Sequence, residues 1–267
     1  ILPFIRSSDK VPLEQLGITS AQTFPESSLY PRFDIDTLAV QPTDVVNSTY
    51  SKYWMGKWPG IGYRRQQFHK AINRIADRSN VGPPNSYTYF YIDFVDKAAH
   101  KAGTFSEKVL KELERLDCEI SKLAASVGPD CRIVLSSDHG HLDFNPETEH
   151  FIDPGSSLRN MLRAPPAHDA RVIFFHVRRG FGGRFQEAFS LEHGDDFVLL
   201  SADQVEALGL LGPGLLSDVT RARIGDFMGI SLGEPIIWYR HVAEELRFKS
   251  LHSGLSHAEM RIPMVVA

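Results

Sequence analysis

The chain has 267 residues, 42% hydrophobic and 23% charged, with a net charge of −4. That is the composition of a folded globular chain, long enough to bury most of its unfolded surface without disulfide staples. Scattered charge of both signs argues against a nucleic-acid-binding surface, and no apolar run approaches the roughly 18 residues of a membrane span. Cys118 and Cys131 are too few for a disulfide framework and wrongly patterned for a zinc ribbon, so they read as free thiols in a reducing, cytoplasmic compartment. The opening ILPFIRSSDK has no signal-peptide pattern. A chain opening on Ile1 rather than Met raises the expectation of a fragment.

Residues 1–34 are rich in Pro and Ser and read as irregular. DTLAVQP (36–42) is a short buried strand ended by Pro42. Residues 43–63 read as a surface excursion or lid; across 51–65, SKYWMGKWPGIGYRR mixes aromatic and basic residues, as a substrate loop or a packed surface loop would. Phe68, Ala71, Ile72 and Ile75 have helical spacing within Arg64–Asp77, before a hard break at VGPPN. YTYFYIDF (87–94) is a strand too apolar for one-sided exposure. Thr104–Ser126 is the clearest helix, with a capping box from Thr104 to Glu107 and a face of Leu113, Leu116, Ile120 and Leu123. RIVLSS (132–137) is the next strand, and strand, helix, strand makes a βαβ unit. Further strands are expected at 171–177, 196–201, 234–240 and 262–267, with short helices at 185–191 and 202–208. The fold class is α/β, a mostly parallel sheet between helices. The expected organisation is one domain over 1–267, with a small inserted subdomain around 143–230. The sequence carries no signal for an oligomeric state.

Ligands of open parallel sheets bind beyond the carboxyl ends of strands. Two expected strands end in acid and imidazole, one running into Asp93-Phe-Val-Asp-Lys-Ala-Ala-His100 and one into Asp138-His139-Gly140-His141. Asp96 and His100, at i and i+4, share one face of a helical turn. Gly140 permits the sharp turn that adjacent Asp138 and His139 need to converge. His252, before Ser253-Gly254, is a further candidate. Carboxylate plus imidazole suits zinc, and also manganese or iron. His141 reads as an outer partner of the metal or a loop residue, and Lys97 as a contact to an anion or an exposed side chain.

In this order, Asp96-x-x-x-His100 with Gly103, Ser137-Asp138-His139-Gly140 and HSGLSHAEMRIP (252–263) resemble motifs of the alkaline phosphatase superfamily. The nearest branch is the type I phosphodiesterase/nucleotide pyrophosphatase group. The first glycine of the last motif is Ser253 here. The resemblance covers roughly residues 36–267 and implies an α/β/α sandwich with two divalent metals, usually zinc. It assigns Asp96, His100 and His252 to one metal, and Asp138 and His139 to the other. It implies hydrolysis of phosphodiester or pyrophosphate bonds in a small phosphorylated substrate such as a nucleotide. Phosphomonoesterase, phosphonate hydrolase and phosphoglycerate mutase activities, or a non-catalytic module, are the alternatives. The family's opening strand-Asp and its Thr or Ser nucleophile have no match here. The chain thus looks like the C-terminal two-thirds of such an enzyme, and poor turnover is expected of it alone.

Overall fold

The computed structural model describes residues 4–6, 9–24, 26–28, 30–240 and 248–267. Two compact units are drawn from residues 1–97, 110–133 and 266–267, and from residues 98–109 and 134–265.

The first unit is built on a parallel sheet of β1 (Asp36–Pro42), β2 (Gly60–Tyr63) and β3 (Ser86–Phe90), in the order β2-β1-β3. β1 is central and buried from Thr37 to Pro42, with apolar Leu38-Ala39-Val40 between the buried polar Thr37 and Gln41. The helix Phe68–Val81 returns the chain from β2 to β3. It lays Phe68, Ala71, Ile72, Ile75 and Ala76 against Leu38, Val40 and Tyr63. Arg65–Gln67 form a 3-10 turn, so the helix starts later than its periodicity suggested. Beyond β3, the Tyr91 N–H still donates to Val40 at 2.9 Å, and Phe94 opens the helix Phe94–Ala102. The long helix runs Glu107–Ser126. Leu116, Ile120 and Leu123 pack on the first unit's core, while Leu113 is exposed. The expected Thr104 cap is replaced by Ser106, whose hydroxyl accepts from Val109.

The second unit holds β4 (Val134–Ser136), β5 (Leu142–Asp143), β6 (Glu149–Ile152), β7 (Ala167–Asp169), β8 (Val172–Phe175), β9 (Phe197–Ser201), β10 (Phe227–Ser231), β11 (Ile236–Tyr239) and β12 (Ser250–Leu251). β13 (Met264–Val266) pairs with β4, β12 runs antiparallel to β5, and β11 runs parallel to β6. The stretches expected as strands at 171–177 and 196–201 form β8 and β9. They join an antiparallel sheet, β7-β8-β10-β9, rather than the parallel one. β10 separates them. Its sequence, FMGIS, is short and interrupted by Gly229, where a Cβ would press on the Phe175 ring at 3.0 Å. Phe175, Phe185, Phe189 and Phe197 are fully or nearly fully buried in this unit's core.

A titratable chain runs along that core. His150 Nε2 donates to Asp196 at 2.7 Å, and the Nδ1 atoms of His150 and His193 face each other at 3.1 Å. If His150 is neutral, its Nδ1 accepts from His193, whose buried Nε2 has no hydrogen-bond partner. Burial, and then the facing His150, hold the His193 pKa below its ordinary value. The unfolded chain therefore takes up this proton more readily than the folded one. Stability should fall as pH drops through the ordinary histidine value of about 6.5. Urea unfolding at pH 7.5 and 5.5 checks this, and the expected loss shrinks in His193→Phe.

Candidate metal centre

The segment after β12 turns twice before reaching the short helix His257–Met260. Ser253 takes φ +94°, Gly254 follows, and Ser256 caps the helix in a capping box with Glu259. Glu259 is 2% exposed and Arg171 0%. Arg171 Nε and Nη2 donate to the two Glu259 oxygens at 2.6 and 2.9 Å. Glu259 also accepts from the Gly254 N–H at 2.8 Å and the Ser256 hydroxyl at 2.6 Å. Burial alone would raise this carboxyl's pKa. Arg171, helped by Ser256 and Gly254, outweighs burial and holds it below the ordinary value. The Glu259 carbonyl accepts from Gly140 at 2.8 Å. A Cβ on Gly140 would fall onto the Ala258 carbonyl oxygen, so only glycine allows this approach.

Three histidines of the second unit meet beside this anchor. The ring centroids of His100 lie 4.8 Å from His141 and 5.1 Å from His252, and His141 lies 5.2 Å from His252. Their ligand nitrogens all fall within 4.8 Å of one another. Asp96 sits one turn before His100 on the same helix, which itself carries the carboxylate to the His100 face. His100, His141 and His252 make a group of possible ligands within the second unit. A carboxylate and imidazoles so arranged fit a zinc-sized cation, whose donors stand about 2.0–2.2 Å from the ion.

Ser250, buried in β12, orients two of the rings. Its carbonyl lies 2.8 Å from His100 Nδ1, and its hydroxyl 3.1 Å from His141 Nδ1. A carbonyl can only accept, so His100 carries its proton on Nδ1 and keeps the lone pair on Nε2. Helix and ribbon are joined at Gly103, φ +91°, where Asp143 of β5 accepts from the Thr104 N–H at 2.8 Å.

Among the residues expected at the site, His100 and His252 lie together in the second unit, with Asp96 on the His100 helix. His141, expected as an outer partner or a loop residue, stands within the ligand group. His139 stacks on His252 at 3.7 Å and shares its Nδ1 proton with the Gly140 carbonyl at 3.0 Å. Asp138 is exposed, 3.7 Å from His139 Nε2. Lys97 pairs with Asp93 at 2.5 Å and lies 3.6 Å from Asp44. In the 51–65 stretch, Trp54 packs on Tyr30 and Tyr89, and Trp58 on Tyr30 and Tyr87, with ring centroids 5.0 to 5.9 Å apart. Ser250 escaped the sequence reading altogether.

These features define an alkaline-phosphatase-like α/β chain. The chain belongs to the type I phosphodiesterase/nucleotide pyrophosphatase family, whose sequence profile matches residues 13–181, more than half of its length. Murine ectonucleotide pyrophosphatase/phosphodiesterase 5 superposes with a TM-score of 0.67 at 12% identity, over 96% of this chain and 67% of that one. The human protein of the same name gives 0.68 at 14% identity with the same coverage. Phosphonoacetate hydrolase from Sinorhizobium meliloti 1021, in complex with phosphonoformate, gives 0.56 at 13% identity, covering 87% of this chain and 65% of that one. No curated protein matches the chain. Among the described residues no helix is long and apolar enough to cross a membrane.

Two measurements probe the site. Arg171→Met leaves a buried carboxylate without its partner and should cost about 3–5 kcal/mol in urea unfolding. Ser250→Ala keeps the carbonyl to His100 but removes the hydroxyl beside His141. It should weaken zinc binding by about 10–100-fold, the range for outer-shell partners, in competition with a chromophoric chelator.

Proposed function

We propose that the chain is the metal-binding part of a hydrolase acting on phosphodiester or pyrophosphate bonds of a small phosphorylated substrate such as a nucleotide. The observation that carries this reading is the meeting of His100, His141 and His252, with Asp96 on the His100 helix. Asp96, His100 and His252 would hold one divalent cation, zinc in the first instance and manganese or iron otherwise. Asp138 and His139 would hold a second. Bound there, such cations supply Lewis-acid polarisation of a phosphoryl oxygen and a lowered pKa for water. The residues' own work is orientation: the Ser250 carbonyl fixes the His100 tautomer, and the Arg171–Glu259 pair holds the loop that carries His252.

The murine relative has been solved as an inactive variant in complex with AMP. That complex supports a nucleotide as substrate here. We place the nucleophile, a Thr or Ser, in sequence preceding Ile1, so the 267-residue chain should turn over poorly alone. The phosphonoacetate hydrolase likeness supports a second reading, a phosphonate as substrate. A reducing, cytoplasmic location belongs to the same proposal, supported by the free thiols of Cys118 and Cys131.

Elemental analysis of the purified chain tests the metal reading. About one equivalent of zinc fits the Asp96/His100/His252 site alone, and about two fit both sites. A chain that takes up no zinc, manganese or iron after reconstitution would sink it. A panel of bis-p-nitrophenyl phosphate, p-nitrophenyl phosphate and phosphonoacetate, given to the chain and to a form extended upstream, separates the substrate classes. Diester hydrolysis by the extended form only is the expected result, and full diesterase turnover by the chain alone would refute the placement of the nucleophile.

A further inference from the structure

Strands β8 and β9 both pair antiparallel with β10, so they run in the same direction and finish at one end of their sheet, where Phe227 of β10 faces Phe175 and Ser201. Several connections meet at that end. The turn at 176–181 leads from β8 into the helix Gly182–His193. The helix Ala202–Ala207 and the loop after it leave β9, and the helix Asp218–Ile224 returns the chain to β10. A bridge between Leu162 and Val177, with the Arg163 N–H on the His176 carbonyl at 2.8 Å, brings Arg163 alongside.

The loop is apolar and faces outward. Residues 208–216, LGLLGPGLL, carry no polar side chain. Leu208, Leu210, Leu211 and Leu215 are exposed, Leu215 by 89%. The loop is nevertheless fastened at both ends. The Leu210 N–H donates to the Val205 carbonyl at 3.2 Å and the Leu216 N–H to the Glu206 carboxylate at 2.7 Å, while Arg221 holds Glu206 at 2.8 Å. Leu216 packs beside buried Val205 and Ile224, so the core takes one leucine of this loop and leaves the other four in water. Such a concentration of exposed apolar side chains marks a contact surface.

The turn is basic. Arg163, Arg178, Arg179 and Arg184 are exposed, and among the described residues none has a carboxylate partner. Arg163 rests on His176 at 3.1 Å, Arg178 on the Leu162 carbonyl at 3.0 Å and Arg184 over the Phe181 ring at 5.7 Å. The acids of this end are engaged within it: Asp203 and Glu206 with Arg221, Asp226 with the Val177 N–H, and Asp218 in the first turn of its own helix. In a chain of net charge −4, four unneutralised arginines make a local positive surface.

We propose that this end of the antiparallel sheet docks on an anionic lipid surface, with the leucines of 208–215 entering the acyl boundary and the arginines lying on headgroup phosphates. A lipid surface uses both features at once. Leucines spaced by glycines offer neither directed bonds nor the aromatic anchors that carry protein–protein interfaces. A bilayer accepts apolar tips without a matching pocket, and an anionic leaflet attracts basic side chains over a broad area.

The test is flotation of the 267-residue chain with vesicles of phosphatidylcholine alone, and of phosphatidylcholine with an equal part of phosphatidylserine, at about 0.15 M salt. The chain should float with the anionic vesicles and stay behind with the neutral ones. Arg178→Gln combined with Arg179→Gln should weaken that partition about 30-fold, at roughly fivefold for each charge near the surface. Leu211→Ser combined with Leu215→Ser should weaken it about tenfold or more. These side chains are exposed and outside the histidine group, so both variants should melt and take up zinc as the parent does. A parent that ignores anionic vesicles would overturn the proposal, and so would a partition that either pair of changes leaves intact. Sedimentation without lipid covers the rival occupant: a dimer that the leucine changes dissociate, with no vesicle binding, would make this end an interface between copies instead.

Discussion

The buried Arg171–Glu259 pair is the constraint on which the site depends. Removing two charges from water costs several kcal/mol for each, and is repaid only when every polar atom finds a partner. Here the accounts close. Glu259 meets Arg171 with both oxygens and takes further bonds from Gly254 and Ser256. Arg171 gives its remaining donors to the carbonyls of Gly233, Glu234 and Pro235. The turn after His252 and the loop at 233–235 are thereby joined to the entry of β8. The Glu259 carbonyl then receives Gly140. His252 and the run His139–His141 are thus both positioned from one residue, although more than a hundred positions of chain separate them.

A second constraint works at shorter range. The two-residue pairing of β5 with β12 offers little stability of its own, yet it presents Ser250 to two imidazoles. Asp143 on the facing strand holds the Thr104 N–H just beyond the His100 helix. Helix end, ribbon and histidine loop therefore share a few hydrogen bonds, with the His100 ring oriented by a backbone carbonyl and the His141 ring by the hydroxyl of the same residue.

Much of this was legible in the sequence. β1 announced itself by the apolar Leu38-Ala39-Val40 before Pro42, and the Phe68–Val81 helix by its spacing, because each signal is local. Asp96 and His100 stand at i and i+4 on one helix, as their spacing suggested, whereas Gly140, expected to let Asp138 and His139 converge, instead makes room for the Ala258 carbonyl. The antiparallel sheet was not legible, because β10 is short and broken by Gly229, and its place between β8 and β9 is decided by packing on Phe175 and Phe189. The Thr104 cap failed because Thr104 spends its N–H on Asp143, a partner no local pattern reveals. Ser250 was invisible for that reason too. His141 did leave a trace: it stands two residues after His139, and in extended chain that spacing returns a side chain to the same side.

The inclusion of His141 changes what the donor set can do. Asp96, His100, His141 and His252 together would fill all four positions of a tetrahedral zinc, the arrangement of a structural site. A catalytic zinc keeps three protein ligands and leaves one place for water or substrate. His100 is held by a carbonyl, so its tautomer is fixed. His141 is held by the Ser250 hydroxyl, which can accept from Nδ1 or donate to it. When the hydroxyl accepts, Nε2 of His141 is a lone-pair nitrogen fit to bind a cation. When it donates, the neutral ring carries its proton on Nε2 and becomes a hydrogen-bond donor instead. The Ser250 hydroxyl, unlike the carbonyl at His100, therefore lets His141 keep this hydrogen bond in either neutral tautomer.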